Sequence, residues 1–451
     1  MPIETIVVAN IAEAFEKIIN KVNSSEQKKE RIRTEHNLCE RALLWEKDDK
    51  IIITPFPVSK SLISRNTKIL GLKNVHNLAP RRIDISLSDA IMRDKKLMNY
   101  LCDIIGENPG VRISPYCVTK RFLSLINFLK KKKLNFVVKE IPHYPNKSLV
   151  TYLDSKVGSR LEISRIKGAL VKHPMSLACK TTIEAIKAAQ WFYNKELSCV
   201  VKSDFGESGW GLIIIDKNRF RNSRHLAKYL KEEFKKDPIW DKDLILVEKC
   251  IHTSQKMLAK SPSVELFVSD KGPKVTYVCN QILGDKGNFL GVALGKDAIP
   301  VKLVEKLTKI SLEVGIFFWR LGYRGFFDVD FVISKNGIPY VIETNTRRTG
   351  GTHAYDVVRL LFGNNWKKVA FVLAQDNFRY GDKILSADEI LDKMKQILYP
   401  MGRVKEGAII SIINKWQPCF GFIIISNTRE KVQDIYNKML NLWELKINEK
   451  V

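Results

Sequence analysis

The stretch DVDFVISKNGIPYVIETN, residues 328–345, crowds three carboxylates and an amide around one turn. Asn336 and Gly337 at its centre predict a two-residue hairpin loop, because both positions of a type I′ turn need positive φ. When these two residues form the loop, Asp330 lies directly opposite Glu343 on the facing strand. Like charges placed about 5 Å apart at Cβ destabilise a sheet, so the pair requires a counter-charge.

A divalent cation between Asp330 and Glu343 would remove this repulsion. Asp328 and Asn345 form the next pair on the same face, since residues two apart on a strand share a side. Mg²⁺ prefers a few carboxylate oxygens together with phosphates, and Asn345 can supply a further oxygen. The apolar residues around the pair indicate a buried sheet, where unpaired charges are costly. A slipped register or an open, solvated face is the alternative.

A glycine-rich stretch, GESGWG, lies between the apolar runs LSCVVKS and LIIID, which both favour strands. A dinucleotide fingerprint or a P-loop needs a helix after its glycines, and none is predicted here. A glycine hairpin between strands can instead fold over a triphosphate, with Lys202 reaching the phosphates. The alternative is an ordinary hairpin with a surface lysine. The candidate phosphate ligands in the loop are Gly206, Ser208, Gly209 and Gly211.

The loop TRRTGGTH, residues 346–353, directly follows the predicted metal strand. Arg347 or Arg348 could hold a carboxylate or an acyl-phosphate through two parallel hydrogen bonds. Solvated arginines in a closing loop are the alternative. His353 is a candidate general base, although a histidine in this position more commonly caps the following helix.

Composition excludes several classes of protein. The chain has 451 residues, of which 45% are hydrophobic and 27% charged, as in a soluble globular protein of several domains. No apolar run approaches the roughly 18 residues of a membrane span. Glu4 stands where a secretory signal would carry a basic residue, so we expect a cytoplasmic protein. The eight cysteines form no CxxC motif, which argues against disulfides and zinc.

The formal net charge of +26 would suit nucleic acid, an acidic partner protein or a polyanionic substrate. A general preference for lysine explains much of this excess without any partner. The densest cluster, KKKKL at 130–134, follows a helical pattern, where cations complement the helix C-terminus. It is therefore a solvated helix end or, alternatively, a docking patch.

The order of patterns along the chain predicts an α/β protein with four parts. Residues 1–45 show a helical pattern and predict a helical N-terminal extension. Residues 46–150 alternate apolar runs and helical patterns, as in a small α/β domain. Residues 151–400 contain the glycine loop, within 174–250, and the carboxylate hairpin, within 251–400. Residues 401–451 predict a hairpin and a helix.

The order of these motifs resembles the ATP-grasp superfamily. Within it, the stretches DSKVGSR, SPSVELFV, GYRGFFDVDFVI and ETNTRRTGGTH resemble peptide ligases of the pheganomycin type. Related proteins include butirosin-type ligases, which load an amino acid onto an acyl carrier protein. The resemblance runs from about residue 45 to the C-terminus and implies an ATP-grasp fold with a Rossmann-like pre-ATP-grasp domain and a small C-terminal α+β segment.

The resemblance implies a role for individual residues. ATP phosphates would contact Lys156, Lys202 and the flap from Gly206 to Gly211. The adenine edge would contact Glu248, Lys249 and the backbone of Ile251. Mg²⁺, or Mn²⁺ in its place, would bind Asp330, Glu343 and Asn345. The loop arginine would be Arg347, with Arg348 as a substitute. The chain departs from the pattern at Asp328, where some relatives carry glycine or a basic residue, and at Gln255, where an acidic ribose contact is usual.

The implied reaction is ATP-dependent formation of an amide or peptide bond in specialised metabolism. A carboxylate would attack the γ-phosphate of ATP to give an acyl-phosphate and ADP, and an amine would then displace phosphate. In a close variant the nucleophile is the thiol of an acidic acyl carrier protein. A basic binding protein without catalysis is a third possibility. The expected partners are a small carboxylate and an amine or peptide, without membrane or nucleic acid; monomer and homodimer both stay open.

Overall fold

The computed structural model describes residues 2–142, 148–206, 209–241, 243–254, 259–284 and 288–445. Within them the chain forms a five-stranded, a four-stranded and an eight-stranded sheet, with helices packed against each sheet. This mixed α/β architecture confirms the predicted fold class. None of the described helices is long and apolar enough to cross a bilayer.

The five-stranded sheet is parallel and belongs to the N-terminal region. Its strands are β1 (Thr5–Val8), β2 (Lys50–Ile53), β3 (Val75–Leu78), β4 (Val111–Pro115) and β5 (Phe136–Val137), in the order β3-β2-β1-β4-β5. The helices of this region are α1 (Ile11–Ala14), α2 (Glu16–Ile19), α3 (Ser25–Leu38), α4 (Lys60–Leu70), α5 (Leu87–Arg93), α6 (Lys95–Glu107) and α7 (Lys120–Lys131), with a 3-10 helix over Cys39–Leu44.

The N-terminal segment 1–45 is not an extension, which corrects the prediction. Strand β1 is the central strand of the parallel sheet, and all four of its residues are buried. The segment TIVVANIAEA follows no single period, because a fully buried strand of four residues runs directly into a short helix. Only α3 matches the predicted polar helix. The sheet domain therefore begins close to the N-terminus.

Two short helices connect this domain to the rest of the chain: α8 (Leu149–Asp154) and α9 (Lys156–Ser164). The sequence pattern of TYLDSKVGSRLEIS by itself predicts one continuous helix, but Ser155 has extended backbone angles and its Oγ accepts a hydrogen bond from Gly158 N at 2.9 Å. Serine in this role is an N-cap, so it ends α8 and begins α9. The break makes Lys156 the first residue of a helix.

The four-stranded sheet carries the glycine loop. Its strands β6 (Ser176–Cys179), β7 (Cys199–Ser203), β8 (Leu212–Ile215) and β9 (Ile245–Lys249) are antiparallel in the order β6-β9-β7-β8. Its two longer helices are α10 (Thr182–Asn194) and α11 (Ser223–Lys236). Thr181 is the N-cap of α10, since its Oγ1 accepts from Glu184 N at 3.2 Å, while the Glu184 carboxylate accepts from Lys180 N at 2.7 Å. The glycine loop joins β7 to β8, as the two flanking apolar runs predict.

The eight-stranded sheet is antiparallel and forms the largest layer. Its strands are β10 (Pro262–Ser269), β11 (Gly272–Leu283), β12 (Phe289–Gly295), β13 (Gly325–Ile333), β14 (Pro339–Asn345), β15 (Phe371–Arg379), β16 (Gly407–Ile413) and β17 (Cys419–Ser426). The spatial order is β14-β13-β10-β11-β12-β15-β17-β16. The helices in this part are α12 (Val301–Arg320), α13 (Thr352–Phe362), α14 (Trp366–Val369), α15 (Ala387–Lys393) and α16 (Arg429–Leu442). The C-terminal hairpin thus extends this sheet, and every residue of its two strands is buried.

The β13–β14 hairpin has the predicted carboxylate pairing but a different loop. Ser334 N donates to Ile338 O at 2.9 Å, so residues 335–337 form the loop, and Gly337 has φ of +70°. The pairing that follows is one residue out of the predicted register. A bulge between Asp330 and Phe331, where Ile342 is the extra residue on β14, restores the register and places Asp330 opposite Glu343. Bulges of this kind insert one unpaired residue and commonly lie near functional sites.

Candidate nucleotide and metal site

A cleft of about 320 Å³ lies where the N-terminal domain, the glycine loop and the β13–β14 hairpin meet. Each of the three parts contributes side chains to it. The residues that line the cleft are Ala14, Phe15, Lys17, Ile18, Asp154, Lys156, Phe205, Gly206, Glu343, Asn345 and Arg347. The segment predicted as an extension therefore supplies part of the site.

The carboxylates of the hairpin share one amide. Asn345 Nδ2 donates to Asp328 Oδ1 at 2.9 Å and to Asp330 Oδ2 at 3.1 Å. Gln281 Nε2 donates to the other oxygen of Asp330 at 2.5 Å. Burial, and then the charges of Asp328 and Glu343, raise the pKa of Asp330 well above its usual range. Burial also raises the pKa of Asp328 to about 7. The positive charge of Arg347 lowers both pKa values but does not offset burial.

Lys156 offsets the third carboxylate. Its Nζ lies 2.8 Å from Glu343 Oε1 and also donates to the backbone oxygen of Gly206 in the glycine loop. Burial raises the pKa of Glu343, but the charges of Lys156 and Lys202 outweigh it and hold this pKa below its usual value. Lys156 thus connects the hairpin directly to the glycine loop.

The local geometry of the motif DSKVGSR holds Lys156 in place. Lys156 N donates to Asp204 O at 3.0 Å, and Val157 N donates to Asp204 Oδ1 at 2.8 Å. A Cβ on Gly158 would lie 2.1 Å from Tyr152 O, so only glycine fits between the two helices. The first turn of α9 is therefore fixed against both α8 and the glycine loop.

A second charged group lies behind the cleft. Glu248 in β9 is 2% exposed; it forms an ion pair with Lys202, and its Oε2 lies 3.0 Å from Arg160 Nη2. Arg160 also donates to Val341 O at 2.8 Å and to Ile342 O at 3.1 Å. Arg160 therefore joins the bulge of the hairpin to the small sheet.

The remaining residues predicted to contact the nucleotide lie in different surroundings. Lys249 N donates to Met175 O at 2.9 Å, so this backbone donor is already used within the sheet. Ile251 follows β9 and is half-buried, and Gly209 lies beside Asn288. Gly211 has φ of +75°, a conformation that favours glycine. The predicted contact at Ser208 and the departure at Gln255 lie outside the described residues.

The two loop arginines have different surroundings. Arg347 lines the cleft, and its Nη1 donates to Asp154 Oδ1 at 2.6 Å. Arg348 is fully buried, forms an ion pair with Glu46 of the N-terminal domain and donates to Ser114 Oγ at 3.0 Å. This burial contradicts the predicted substrate contact of Arg348. Its guanidinium instead connects the loop to the N-terminal domain.

His353 takes neither of its two predicted roles. It is fully buried within α13, which Gly351 precedes as N-cap, and burial lowers its pKa to about 4. Its Nε2 lies 3.6 Å from Asp376 Oδ1 and outside the residues that line the cleft. A neutral, enclosed imidazole in this position is part of the core.

Sequence reasoning missed several residues of the site. Lys17 and Phe15 belong to the segment predicted as an extension; Phe15 lies between α1 and α2, and these helices of four residues are too short to show a period. Asp154 accepts from both Arg347 and Thr346 N. Glu265 is fully buried and accepts from Thr349 Oγ1 at 3.1 Å. A lone acid in the apolar strand SPSVELFV was a usable signal, because a buried carboxyl needs donors.

A resident metal centre is not evident. Among the residues that the structure describes, no three or more His, Cys, Asp or Glu side chains form a cluster that could hold a metal ion. Asp330 and Glu343 nevertheless face each other with excess negative charge, and Asn345 adds an amide. This donor set fits an ion that obtains its other ligands from phosphates, as Mg²⁺ commonly does.

Solved structures share this architecture over almost the whole chain. An N5-carboxyaminoimidazole ribonucleotide synthetase in complex with ADP superposes with a TM-score of 0.54 at 13% identity and 98% coverage of both chains. The biotin carboxylase of Campylobacter jejuni, a β-γ-ATP complex, gives a TM-score of 0.55 at 14% identity, with 97% of this chain and 91% of that chain covered.

The chain has the ATP-grasp fold. The ATP-grasp neighbours also include the biotin carboxylase domain of 2-oxoglutarate carboxylase from Hydrogenobacter thermophilus, solved with MgADP, ADP and bicarbonate. Its TM-score is 0.54 at 12% identity, over 98% of this chain and 90% of that chain. At these identities the likeness concerns the fold alone.

Sequence comparison adds a more specific similarity over a shorter length. The [butirosin acyl-carrier protein]–L-glutamate ligase of Niallia circulans is 29% identical over 162 residues. These residues are 36% of this chain and 35% of the relative, so the match spans about a third of each. No protein-family profile matches the chain. The similarity agrees with the resemblance to butirosin-type ligases in the sequence motifs.

Removal of the lysine that offsets Glu343 should destabilise the ATP-grasp core. We expect Lys156→Met to lower the free energy of unfolding by about 3 kcal/mol, because a largely buried carboxylate loses its partner. Lys217→Met, in an exposed pair with Glu196, is the control and should cost less than about 1 kcal/mol. Denaturant titration measures both.

A double variant isolates the pairwise interaction. Lys156→Met combined with Glu343→Gln should recover much of the stability lost in Lys156→Met alone, because no uncompensated charge then remains. A double variant no more stable than Lys156→Met alone would contradict the assignment of Lys156 as the counter-charge of Glu343.

Proposed function

We propose that this chain is an ATP-dependent ligase that joins a carboxylate to an amine through an acyl-phosphate, with release of ADP and phosphate. The observation that carries the proposal is the contact set of Lys156, which binds Glu343 of the hairpin and the Gly206 carbonyl of the glycine loop at once. The ammonium group of Lys156 therefore lies at the place where a bound triphosphate would meet the two facing carboxylates. The ATP-grasp fold and the butirosin-type relative support the same reaction class.

Mg²⁺ fits the hairpin for an electrostatic reason. Asp330 and Glu343 would hold it, with Asn345 as a further oxygen ligand, and Mn²⁺ would accept the same oxygen donors. The ion would supply neutralisation of the phosphate charge during transfer. Asp328 accepts from both the backbone and side-chain nitrogens of Asn345, which fixes the orientation of that amide. We therefore assign Asp328 to positioning rather than to direct ligation.

Two lysines at or near the cleft would bind the phosphates. Lys156 lines the cleft, and Lys202 lies behind it in the ion pair with Glu248. The glycine loop supplies backbone donors, since its residue Gly206 also lines the cleft. The adenine edge would lie along β9, near Glu248 and Ile251. Catalysis of this kind consists mainly of positioning and charge neutralisation, which matches a site rich in fixed cations.

Arg347 would bind the substrate carboxylate. It lines the cleft next to Asn345, and its Nη1 is held by Asp154 at 2.6 Å. One guanidinium edge is thereby fixed, which orients the side chain. Arg348 supports the same loop from within the domain interface and takes no direct part.

Loss of one facing carboxylate should abolish turnover and preserve the fold. We expect Glu343→Gln to reduce Mg²⁺-dependent ADP release at least 100-fold, because the cation loses a charged ligand. The assay measures ADP with a panel of amino acids and acidic carrier proteins. Asp84→Asn, an exposed change, is the control and should have no effect. If Glu343→Gln turns over as fast as the wild type, the metal assignment is contradicted. If the wild type shows no turnover with any substrate, a non-catalytic binding protein is favoured.

A carrier-protein thiol is the second candidate nucleophile. The net charge of +26 favours an acidic partner, and the relative from Niallia circulans is named for an acyl-carrier protein. If this variant is right, the KM for an acidic carrier protein should rise several-fold between low and physiological salt, because screening weakens steering between opposite charges. The KM for a free amine is the control and should change little. A KM for the carrier that is independent of salt would contradict electrostatic steering.

A further inference from the structure

The lining of the cleft contains one more cation than carboxylate. Its basic side chains are Lys17, Lys156 and Arg347, and its acidic side chains are Asp154 and Glu343. Lys156 Nζ lies 2.8 Å from Glu343 Oε1, and Arg347 Nη1 lies 2.6 Å from Asp154 Oδ1. Among the residues that the structure describes, no carboxylate lies within ion-pair distance of Lys17 Nζ. Lys17 therefore brings an uncompensated positive charge to the cleft.

An aromatic ring holds Lys17 in place. Its Nζ lies 3.8 Å from the centroid of the Phe205 ring. A ring attracts a cation through its quadrupole, yet it carries no net charge and does not neutralise the ammonium group. Lys17 is exposed, whereas Phe205 is half-buried. The contact therefore orients the ammonium group and leaves it available to an anion.

The N-terminal domain carries Lys17 on α2, and a neighbouring lysine fixes this segment against the small sheet. Lys21 Nζ lies 2.6 Å from Asp243 Oδ2 and donates to Ile239 O at 2.8 Å. Both partners lie shortly before β9. Lys17 and Lys21 are four residues apart, a spacing that places side chains on the same side of a helical turn. Lys17 is thus presented to the glycine loop by a segment with fixed partners.

The ring contact places Lys17 on the side of the cleft where phosphates are expected. Phe205 directly precedes Gly206, the first glycine of the loop whose backbone we assign to the phosphates. Arg347, which we assign to the substrate carboxylate, packs over a different ring, with its guanidinium carbon 5.1 Å from the Phe15 centroid. The position of Lys17 therefore favours a phosphate over the substrate carboxylate as its ligand.

We propose that Lys17 binds the phosphoryl group that is transferred from ATP, as a cation supplied by the N-terminal domain. The proposal rests on the proposed ligase function and adds a residue to its phosphate site. In the transfer, the carboxylate oxygen bonds to the γ-phosphorus while the bond to the β,γ-bridging oxygen breaks, and ADP leaves with the electron pair. Lys17 stays protonated and forms charge-assisted hydrogen bonds to the phosphoryl oxygens, which are stronger than its contact with an uncharged ring.

Binding of nucleotides tests the proposal without turnover. Calorimetry on the full chain with Mg²⁺ compares a non-hydrolysable ATP analogue with ADP, which lacks the γ-phosphate. Lys17→Met should weaken binding of the analogue ten-fold or more and binding of ADP less than two-fold. Lys17→Arg should restore most of the affinity for the analogue. Lys29→Met, an exposed change on α3 of the same domain, removes the same charge and should weaken neither.

A change in the ring tests how Lys17 is positioned. Phe205→Leu should weaken binding of the analogue several-fold and leave ADP binding unchanged, because Lys17 keeps its charge and loses the contact that orients it. Thermal melts show whether each variant is folded.

Three results would overturn the proposal. They are an equal loss of analogue and ADP affinity in Lys17→Met, no loss of either, and no binding of the analogue to the wild type. ADP release is measured separately. Analogue binding that depends on Lys17 without any ADP release contradicts only the ligase function, whereas ADP release that is unchanged in Lys17→Met contradicts only this role of Lys17.

Discussion

The repulsion among three carboxylates on one buried hairpin is the constraint on which the rest of the site depends. Asp328, Asp330 and Glu343 lie on one face of β13 and β14, and burial raises the pKa of both aspartates. Among the described residues, a lysine lies within contact distance of Glu343 and of neither aspartate. The arrangement is costly by itself and becomes favourable when a cation is added. Binding of a cation therefore supplies positive charge that the hairpin lacks.

Charged side chains connect the carboxylate hairpin and the loop after it to three other parts of the chain. Lys156 joins Glu343 to the glycine loop, and Arg160 joins the hairpin bulge to Glu248 of the small sheet. Arg348 joins the loop after the hairpin to Glu46 of the N-terminal domain. Each connection is a charged side chain with fixed partners, so ion pairs and hydrogen bonds hold the parts around the cleft together.

The pairing of Asp330 with Glu343 could be predicted from sequence, although the loop was assigned incorrectly. The hairpin loop has one more residue than predicted, and the bulge between Asp330 and Phe331 cancels the shift. The alternation of side chains along a strand shows which residues share a face, but a single inserted residue produces no repeating pattern that the sequence would reveal. The ATP-grasp fold was likewise predictable, because its motifs occur in a fixed order. The central strand β1 was not, since four buried residues have no distinguishing period.

Long-range partners account for the other errors. Arg347 and Arg348 are adjacent in sequence, yet only the partner Glu46, from a distant domain, decides which of them faces the cleft.

The most direct test of the central claim is Mn²⁺ binding followed by electron paramagnetic resonance, with and without a non-hydrolysable ATP analogue, in the wild type and Asp330→Asn. The account predicts that the analogue tightens Mn²⁺ binding at least ten-fold in the wild type and not in the variant. Equal binding in all four samples would contradict it.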